Sequence, residues 1–411
     1  MANVSSSNGL EKRPKLRFPG FDEPWKTNIF DEIFSLLPNN TLSRADLASC
    51  GDVLNVHYGD VLIKYGSILD VESDEIPYIA AGKESKKQCY LSDGDVIIAD
   101  TAEDETVGKC TEITNTKNAK IEAGLHTIPC HPRIAYAPMF LGYYMNSPYY
   151  HKQLIPLMQG VKVLSVSKSN IGNTLISAPA SYPEQEKIVE LLHLLDCRMR
   201  KQQEVIDNLK KYKRGLLMHY FSDDKTQLWT QCSVSQIGKV ITGITPPTND
   251  RSNYDGDLLF CAPGDVGEQK YISSTEKRVS PKGFALGRPL PPNSVIVTCI
   301  GLIGKLGIAK TSMITNQQIN ALVVSEGFDH EFIYYAFENF FPEYRSKVSM
   351  QTLPILSKSE FEKLMIKVPD LDVQHKISSH LAAMDRRIEH TQQELNALIE
   401  HRRGIMQQLF I

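Results

Sequence analysis

The sequence predicts an α+β protein with a pseudo-twofold internal repeat: two mixed α/β domains and two long helices forming an antiparallel coiled coil. Three observations support this architecture. A segment near the middle of the chain recurs after about 190 residues. Within both copies the apolar residues follow a heptad rhythm, and ahead of each copy short β-like runs alternate with turns.

The repeated segment begins as LSVSKSNIGNTLISAP at 164–179 and returns as LPILSKSEFEKLMIKVP at 353–369. After an offset of one residue the match continues through 184–221 and 373–410. Identical residues at matched positions include Gln185/Gln374, Asp196/Asp385, Arg198/Arg387, Gly215/Gly404 and Phe221/Phe410. The fronts of the two repeats share little beyond Trp25 and Trp229. The preserved backs are therefore predicted to perform the same task in both repeats. The divergent fronts are predicted to perform two versions of a second task.

Each preserved back is predicted to be one long helix. Its apolar residues are spaced by alternating fours and threes, which is the seam of a coiled coil. The predicted seam consists of Ile188, Leu192, Leu195, Met199, Ile206 and Leu209 in the first copy and Ile377, Leu381, Met384, Ile388, Leu395 and Leu398 in the second.

Polar residues interrupt both seams at matched positions, Gln202/Thr391 and Lys213/Arg402. Such interruptions lower stability but fix register and partner number. Two matching helices in one chain most simply pair with each other, and the first leads directly into the second front, which favours antiparallel pairing. The alternative is that each amphipathic helix packs only on its own domain.

These observations divide the chain into four segments. Residues 1–182 form the N-terminal segment and first domain, and residues 183–222 form the first spacer helix. Residues 223–371 form the second domain, and residues 372–411 form the second spacer helix. The fronts contain buried-strand patterns such as YLSDGDVIIAD and NSVIVTCIGLIGK, typical of mixed α/β domains.

Motifs for catalysis and metal binding are missing. The glycines from Gly301 to Gly307 lack the spacing of a phosphate loop and predict a tight turn between strands. An acidic group from Asp95 to Glu105 predicts an exposed loop rather than a metal site, since the second front has no counterpart. The eight cysteines are scattered, without zinc or disulfide spacing, so we expect reduced thiols. The sequence also offers no signal peptide and no membrane span, which predicts a cytoplasmic protein.

Several motifs resemble type I restriction–modification specificity subunits. PKLRFPGFDEPW at 14–25 resembles their N-terminus. NNTLSRADL at 39–47, VHYGDVLIKY at 56–65, GDVIIADTAED at 94–104 and GLHTI at 124–128 resemble one class of target recognition domain, and GITPPTND at 243–250 and TNQQINAL at 315–322 resemble another. Both helix starts and both K/R-R-G endings resemble the conserved spacers. One departure is His375, where the first copy keeps Glu186.

The resemblance implies a non-catalytic subunit serving phage defence. Its two domains would each read one half of a bipartite, asymmetric site in double-stranded DNA, and its paired helices would set the spacing. Two methyltransferase subunits would dock on the helices, and restriction-translocase subunits would join the complex. S-adenosylmethionine, ATP and Mg²⁺ would then belong to these partners, with no cofactor in this chain. A net charge of −3 is compatible with this, because the partners can supply phosphate contacts.

Candidate DNA contacts follow from the side chains that read base edges or hold phosphates. In the first domain they are Arg44, His57, Tyr58, Lys64, Lys162 and Lys168, and in the second Thr245, Arg278, Lys305, Gln317, Gln318, Gln351 and Lys358. His126 in GLHTI is expected to be structural.

Two other functions remain open. A self-contained methyltransferase or nuclease is one, although the chain lacks cofactor and acceptor motifs. The other is a coiled-coil scaffold, or a decayed specificity subunit, that binds proteins without reading DNA.

Overall fold

The computed structural model describes residues 13–83, 89–267, 269–347 and 354–411. The chain divides into two compact units, residues 1–202 with 394–411 and residues 203–393. The boundaries expected from the sequence gave each long helix a segment of its own, whereas this division runs through both helices. Each unit therefore contains part of both.

The first unit consists of short strands and helices ahead of a long helix. Its strands are β1 (Lys26–Ile29), β2 (Phe34–Leu36), β3 (Leu47–Ala48), β4 (Val53–Val56), β5 (Ile68–Asp70), β6 (Tyr78–Ile79), β7 (Val96–Ala99), β8 (Thr101–Ala102), β9 (Cys110–Thr114), β10 (Lys120–Ala123), β11 (Thr127–Pro132), β12 (Leu164–Ser165) and β13 (Leu175–Ala178). Its helices are α1 (Phe30–Ile33), α2 (Tyr58–Ile63), α3 (Phe140–Met145), α4 (Pro148–Leu154), α5 (Lys168–Gly172) and the first part of α6 (Tyr182–Tyr220).

A five-stranded sheet in the order β2-β11-β7-β9-β5 forms the centre of the first unit. All neighbours are antiparallel except β5 and β9. Every residue of the middle strand β7 is buried. Val96 and Ile98 face a core shared with α3 and α6, while Ile97 and Ala99 face a second core, since alternate side chains point to opposite faces. The second core lies against the smaller sheet β10-β4-β6-β3.

The second unit repeats this plan with a different sequence. Its strands are β14 (Thr230–Ser233), β15 (Gly238–Thr242), β16 (Tyr254–Cys261), β17 (Tyr271–Ile272), β18 (Lys277–Val279), β19 (Val295–Thr298), β20 (Leu306–Ala309), β21 (Met313–Thr315), β22 (Ile319–Val324) and β23 (Met365–Val368). Its helices are α7 (Asp223–Thr226), α8 (Val234–Ile237), α9 (Pro281–Leu286), α10 (His330–Lys347), α11 (Lys358–Lys363) and most of α12 (Leu371–Leu409).

The central sheet of the second unit has the order β15-β22-β19-β20-β17 and again only its last pair, β17 and β20, is parallel. The middle strand β19 is buried throughout, as β7 is. The glycine-rich stretch from Gly301 connects the antiparallel strands β19 and β20, so the predicted turn is confirmed. Two fronts with little sequence similarity therefore share the topology of the central sheet.

The long helices run antiparallel within the first unit. Asp196 of α6 accepts hydrogen bonds from Arg402 of α12, and Gln202 donates to Glu394 at 2.7 Å. As the residue number rises along α6, that of its partner on α12 falls. Ile188 and Leu192 pack in one apolar core with residues near the end of α12.

The same arrangement holds within the second unit. Lys213 of α6 lies 2.7 Å from Asp385 of α12, and the Tyr220 hydroxyl lies 2.5 Å from Nδ1 of His380. The predicted antiparallel coiled coil is thus confirmed in each unit. Every apolar residue of the predicted seam is buried or half-buried.

All eight cysteines are free thiols. Four of them, Cys110, Cys130, Cys261 and Cys299, are buried. Within the described ranges, no helix combines the length and apolarity that crossing a bilayer requires.

Candidate nucleic-acid interface

Loops from distant parts of the first unit meet at one end of its central sheet. We call the surface formed by residues 57–58, 100–102, 124–126 and 159–165 loop face 1. The Asp100 amide donates to the His126 carbonyl at 3.1 Å, and the Val166 amide donates to the Asp100 carbonyl at 2.9 Å. The Tyr58 amide reaches the carbonyl of residue 125 at 3.4 Å. Strand β8 pairs with β12, which attaches the 159–165 hairpin to this surface.

Three rings lie together on loop face 1. Tyr58 stacks near His57, with ring centroids 4.6 Å apart, and meets the edge of His126 at 5.3 Å. His57 is buried, and its Nδ1 accepts the Gly59 amide at 3.2 Å, capping α2. Burial, aided by the Arg44 charge, lowers the pKa of His57. A neutral His57 with an accepting Nδ1 carries its proton on Nε2.

Two predicted basic contacts already have partners. Arg44 donates to both carboxylate oxygens of Asp60, at 2.8 and 3.0 Å, and this hydrogen bonding raises the pKa of the guanidinium. The Arg44 side chain remains 54% exposed. Lys64 pairs with Glu75 at 3.3 Å. These charges are partly neutralised before any phosphate approaches.

The hairpin at 159–165 projects from loop face 1. Gly160 has φ of 120°, and a Cβ there would lie 1.9 Å from the Val163 carbonyl oxygen, so the turn requires glycine. Val161 is 99% exposed, and Lys162 beside it is exposed as well. Neither Lys162 nor Lys168 forms an ion pair with another residue in the described ranges. Lys168 begins α5, away from the hairpin tip.

The acidic group expected in one exposed loop is divided. Glu103, Asp104 and Glu105 are exposed in the turn after β8. Asp95 instead is buried ahead of β7, where it accepts the Ser92 amide at 2.7 Å, so its expected exposure is wrong.

The second unit has a corresponding surface, loop face 2, formed by residues 243–247, 299–305, 316–318 and 354–355. The Cys299 amide donates to the Gln318 carbonyl at 2.8 Å, and the Leu356 amide donates to the Cys299 carbonyl at 2.8 Å. The Gly243 amide donates to the carbonyl of Ile319 at 3.1 Å. An isolated bridge between residues 300 and 355 takes the place of the β8–β12 pair.

Loop face 2 brings together several candidates from the sequence. Thr245 donates to Gln317 Oε1 at 2.6 Å, and Gln318 Oε1 accepts from Asn316 at 3.2 Å. Lys305 lies half-buried at the end of the turn between β19 and β20.

The remaining candidates lie elsewhere or outside the described residues. Arg278 is exposed on β18, in the three-stranded sheet β18-β16-β21 of the second unit. Lys358 begins α11 and pairs with Glu362 at 3.5 Å. Gln351 lies outside the described residues.

The second half of the chain is similar to a known protein domain. Residues 227–401 match the model of the type I restriction modification DNA specificity domain. The resemblance inferred from the sequence is therefore confirmed.

Two curated specificity subunits are similar over shorter stretches. The type I restriction enzyme MjaIX specificity subunit of Methanocaldococcus jannaschii is 29% identical over 178 residues, which cover 42% of this chain and 41% of that protein. The HindI specificity subunit of Haemophilus influenzae is 29% identical over 108 residues, 26% of this chain and 24% of that one. The matched stretches thus span less than half of either relative.

Solved structures extend the similarity of fold to nearly the whole chain. The S subunit of the M. genitalium type I system has a TM-score of 0.59 at 14% identity, covering 97% of this chain and 99% of that one. A chain from a study of complex assembly and conformational transition of the type I system has a TM-score of 0.58 at 17% identity, covering 96% and 99%. The predicted fold class is confirmed.

In this specificity-subunit fold, the polar seam residues tie each helix pair to its domain. In the first unit, the Arg402 guanidinium contacts both Asp196 and the Ser67 hydroxyl, the latter at 3.5 Å. The guanidinium carbon also lies 5.9 Å from the Tyr143 ring of α3. One side chain from α12 therefore joins α6, a loop and α3.

The matched seam residue of the second unit, Lys213, does the same. It lies 2.7 Å from Asp385 and 2.9 Å from Glu338 of α10. The Tyr335 hydroxyl of α10 donates to Asp385 at 2.5 Å. Burial alone would lower the pKa of Lys213, but the two carboxylates raise it. The amine is thus held charged among three elements.

The repeated glutamines also have one role in both units. Gln185 accepts the Ala137 amide at 2.9 Å and donates to the Pro179 carbonyl at 2.9 Å. Gln374 accepts the Asp329 amide and donates to the Pro369 carbonyl at the same distances. Each glutamine thus fixes the start of a long helix to the backbone just before a domain helix, α3 in the first unit and α10 in the second.

Two features of the site were not predicted from the sequence. His126, expected to be structural, lies on loop face 1 with its side chain 47% exposed. The matched aspartates were recognised as repeats, but their pairing with Lys213 and Arg402 was not. Opposite charges at repeated positions on two antiparallel helices were the signal that could have revealed this pairing.

Proposed function

We propose that this chain is the DNA sequence-specificity subunit of a type I restriction–modification complex. Loop faces 1 and 2 would each read one half of a bipartite, asymmetric target in double-stranded DNA. The observation that carries the proposal is that central sheets of one topology present two unlike sets of side chains at equivalent loops. A shared scaffold with divergent polar side chains is what two half-sites of different sequence require.

The paired helices would set the spacing of the half-sites and dock two methyltransferase subunits. The tie between each helix pair and its domain, through Arg402 and Lys213, supports this, because a ruler must hold its reading domain firmly. Restriction-translocase subunits would join through the complex. The chain itself would have no catalytic role, and S-adenosylmethionine, ATP and Mg²⁺ would act in the partners.

A domain exchange tests the proposal. Residues 23–180 are replaced by the corresponding part of another specificity subunit, and the chain is co-expressed with its methyltransferase partner. Methylation-aware sequencing of host DNA should show a change in only one half of the methylated sequence. A reciprocal exchange of residues 228–369 should change only the other half. Changes in both halves, or in neither, from a single exchange would contradict modular reading.

One observation favours the alternative of a scaffold that does not read DNA. Two basic candidates on the first unit are paired with carboxylates, Arg44 with Asp60 and Lys64 with Glu75, and an exposed acidic turn lies beside loop face 1. A gel-shift assay with the co-expressed methyltransferase separates the two functions. A scaffold would retard no duplex, whereas a specificity subunit should bind its target more tightly than random duplex, with affinity falling as salt rises.

A further inference from the structure

We propose that His126 and Gln318 occupy equivalent positions and are specificity-determining residues of the two half-sites. The inference rests on the proposed function and deepens it by naming one reading residue in each unit. Both residues lie in the loop that enters the second strand of the central sheet, β11 or β22.

The equivalence is fixed by the backbone. The His126 carbonyl accepts the amide of Asp100, which follows the middle strand β7. The Gln318 carbonyl accepts the amide of Cys299, which follows the middle strand β19. The residue after the middle strand also accepts an amide in each unit. The Asp100 carbonyl accepts the Val166 amide, and the Cys299 carbonyl accepts the Leu356 amide. Main-chain groups therefore carry the structural role, and the side chains are left to vary.

The His126 side chain is held for recognition. Its Nδ1 lies 3.3 Å from Asp100 Oδ1 and 3.4 Å from Thr101 Oγ1, while Nε2 forms no hydrogen bond with another residue in the described ranges. The Thr101 hydroxyl donates its proton to Asp100 Oδ1 at 2.7 Å, so the imidazole tautomer that fits the Nδ1 contact donates from Nδ1 and presents Nε2 as an acceptor. Such an acceptor fits the exocyclic amino group of adenine or cytosine in the major groove.

The backbone of His126 also points to a functional position. Its φ is 54°, in the left-handed region that few non-glycine residues adopt, although histidine, asparagine and aspartate do so more often than the rest. Such strained residues concentrate at binding sites. The conformation turns a polar ring toward the surface beside Tyr58, whose ring lies 5.3 Å away.

Gln318 offers a different recognition chemistry from the same place. Asn316 Nδ2 donates to its Oε1 at 3.2 Å, which orients the amide. The Gln318 Nε2 forms no hydrogen bond with another residue in the described part of the chain. A glutamine amide oriented in this way matches the donor and acceptor pair of adenine in the major groove. The two units thus place an acceptor and an amide at equivalent positions, as unlike half-sites need.

Paired substitutions test the inference in the complex with the methyltransferase partner. His126→Ala and Gln318→Ala are compared with Lys26→Ala and Gln231→Ala, exposed residues on the matched edge strands β1 and β14. Methylation is measured by sequencing over a library of targets that carry every single-base change in either half-site. Unfolding followed by the fluorescence of the chain's tryptophans checks that each variant is folded.

His126→Ala should lower discrimination at one base pair of one half-site by roughly tenfold to a hundredfold, and Gln318→Ala should do so in the other half-site. The control variants should keep the wild-type pattern. Asparagine tolerates a left-handed backbone, so His126→Asn should fold and methylate with an altered base preference at that same base pair.

Three results would overturn the inference. A wild-type complex that reads a bipartite target while the His126 and Gln318 variants leave its pattern unchanged refutes the inference alone. The same holds if either variant alters both half-sites equally. A wild-type complex with no bipartite target overturns the proposed function, and the inference falls with it.

Discussion

Removing the Phe410 ring should destabilise the first unit and leave the second unchanged. Phe410 lies near the end of α12 but is only 3% exposed within the first unit. Its ring centroid is 6.4 Å from that of Trp25, 6.1 Å from that of Phe140 and 5.6 Å from that of Tyr144. A buried Phe→Ala change costs roughly 3–5 kcal/mol of unfolding free energy. This is a large share of the roughly 5–15 kcal/mol that stabilises a typical domain.

The chain supplies its own assay, because its two tryptophans lie one in each unit. Trp25 reports on the first unit, and Trp229, which packs against Phe221 at 5.8 Å, reports on the second. In a Trp229→Phe background, Phe410→Ala should lower the urea midpoint of Trp25 fluorescence by roughly 1–2 M. In a Trp25→Phe background, the midpoint of Trp229 should not move.

Phe221→Ala is the matched variant, since Phe221 and Phe410 are the same residue of the two repeats. It should shift the Trp229 midpoint and spare that of Trp25. If Phe410→Ala instead shifted only the Trp229 transition, the last turn of α12 would not belong to the first unit. If it shifted neither transition, the aromatic packing would contribute little to stability.

Three further perturbations test other features. Asp385→Asn should destabilise the second unit by about 3 kcal/mol, because it removes one of the two carboxylates that pair with the buried Lys213 amine. A urea midpoint of Trp229 fluorescence equal to that of the wild type would refute this. Burial raises the pKa of Glu112 from its ordinary value to about 7, so the folded first unit holds this proton more tightly than the unfolded chain does. The unfolding free energy of the first unit should therefore fall by roughly 3 kcal/mol as pH rises from below 4.5 through 7. Glu112→Gln should remove that slope from Trp25 midpoints measured between pH 5 and 8, and a persisting slope would assign it to other groups. Inserting seven residues into α6 alone should change the methylated spacing or abolish complex assembly, whereas unchanged spacing on sequencing would show that the helices are not the ruler.

The helices were predictable because a heptad repeat is a local, periodic signal. The repeat also identified the residues that matter, such as Gln185 and Phe410, without revealing their partners. Phe410 packs against Trp25 from the opposite end of the chain, and no local pattern encodes such a contact. The middle strands β7 and β19 could be read from their buried runs, VIIA and VIVT.

The loop faces were harder to predict than the helices. Strands β8 and β12 are two residues long, and their pairing depends on register between segments about sixty residues apart. The side chains there were therefore chosen by residue type alone. That choice included His57, which caps α2, and gave a structural role to His126, whose side chain is half-exposed. The carbonyl that joins His126 to Asp100 becomes apparent only when the sheet is assembled.

The membership of residues 394–411 in the first unit has a consequence for synthesis of the protein. A ribosome produces residues 1–202 long before Phe410 emerges, so the nascent first unit must wait with the rings of Trp25, Phe140 and Tyr144 lacking their cover. All residues of the second unit, 203–393, are synthesised before the segment 394–411 that completes the first unit. The unit whose synthesis begins first is thus the last to have all its residues made.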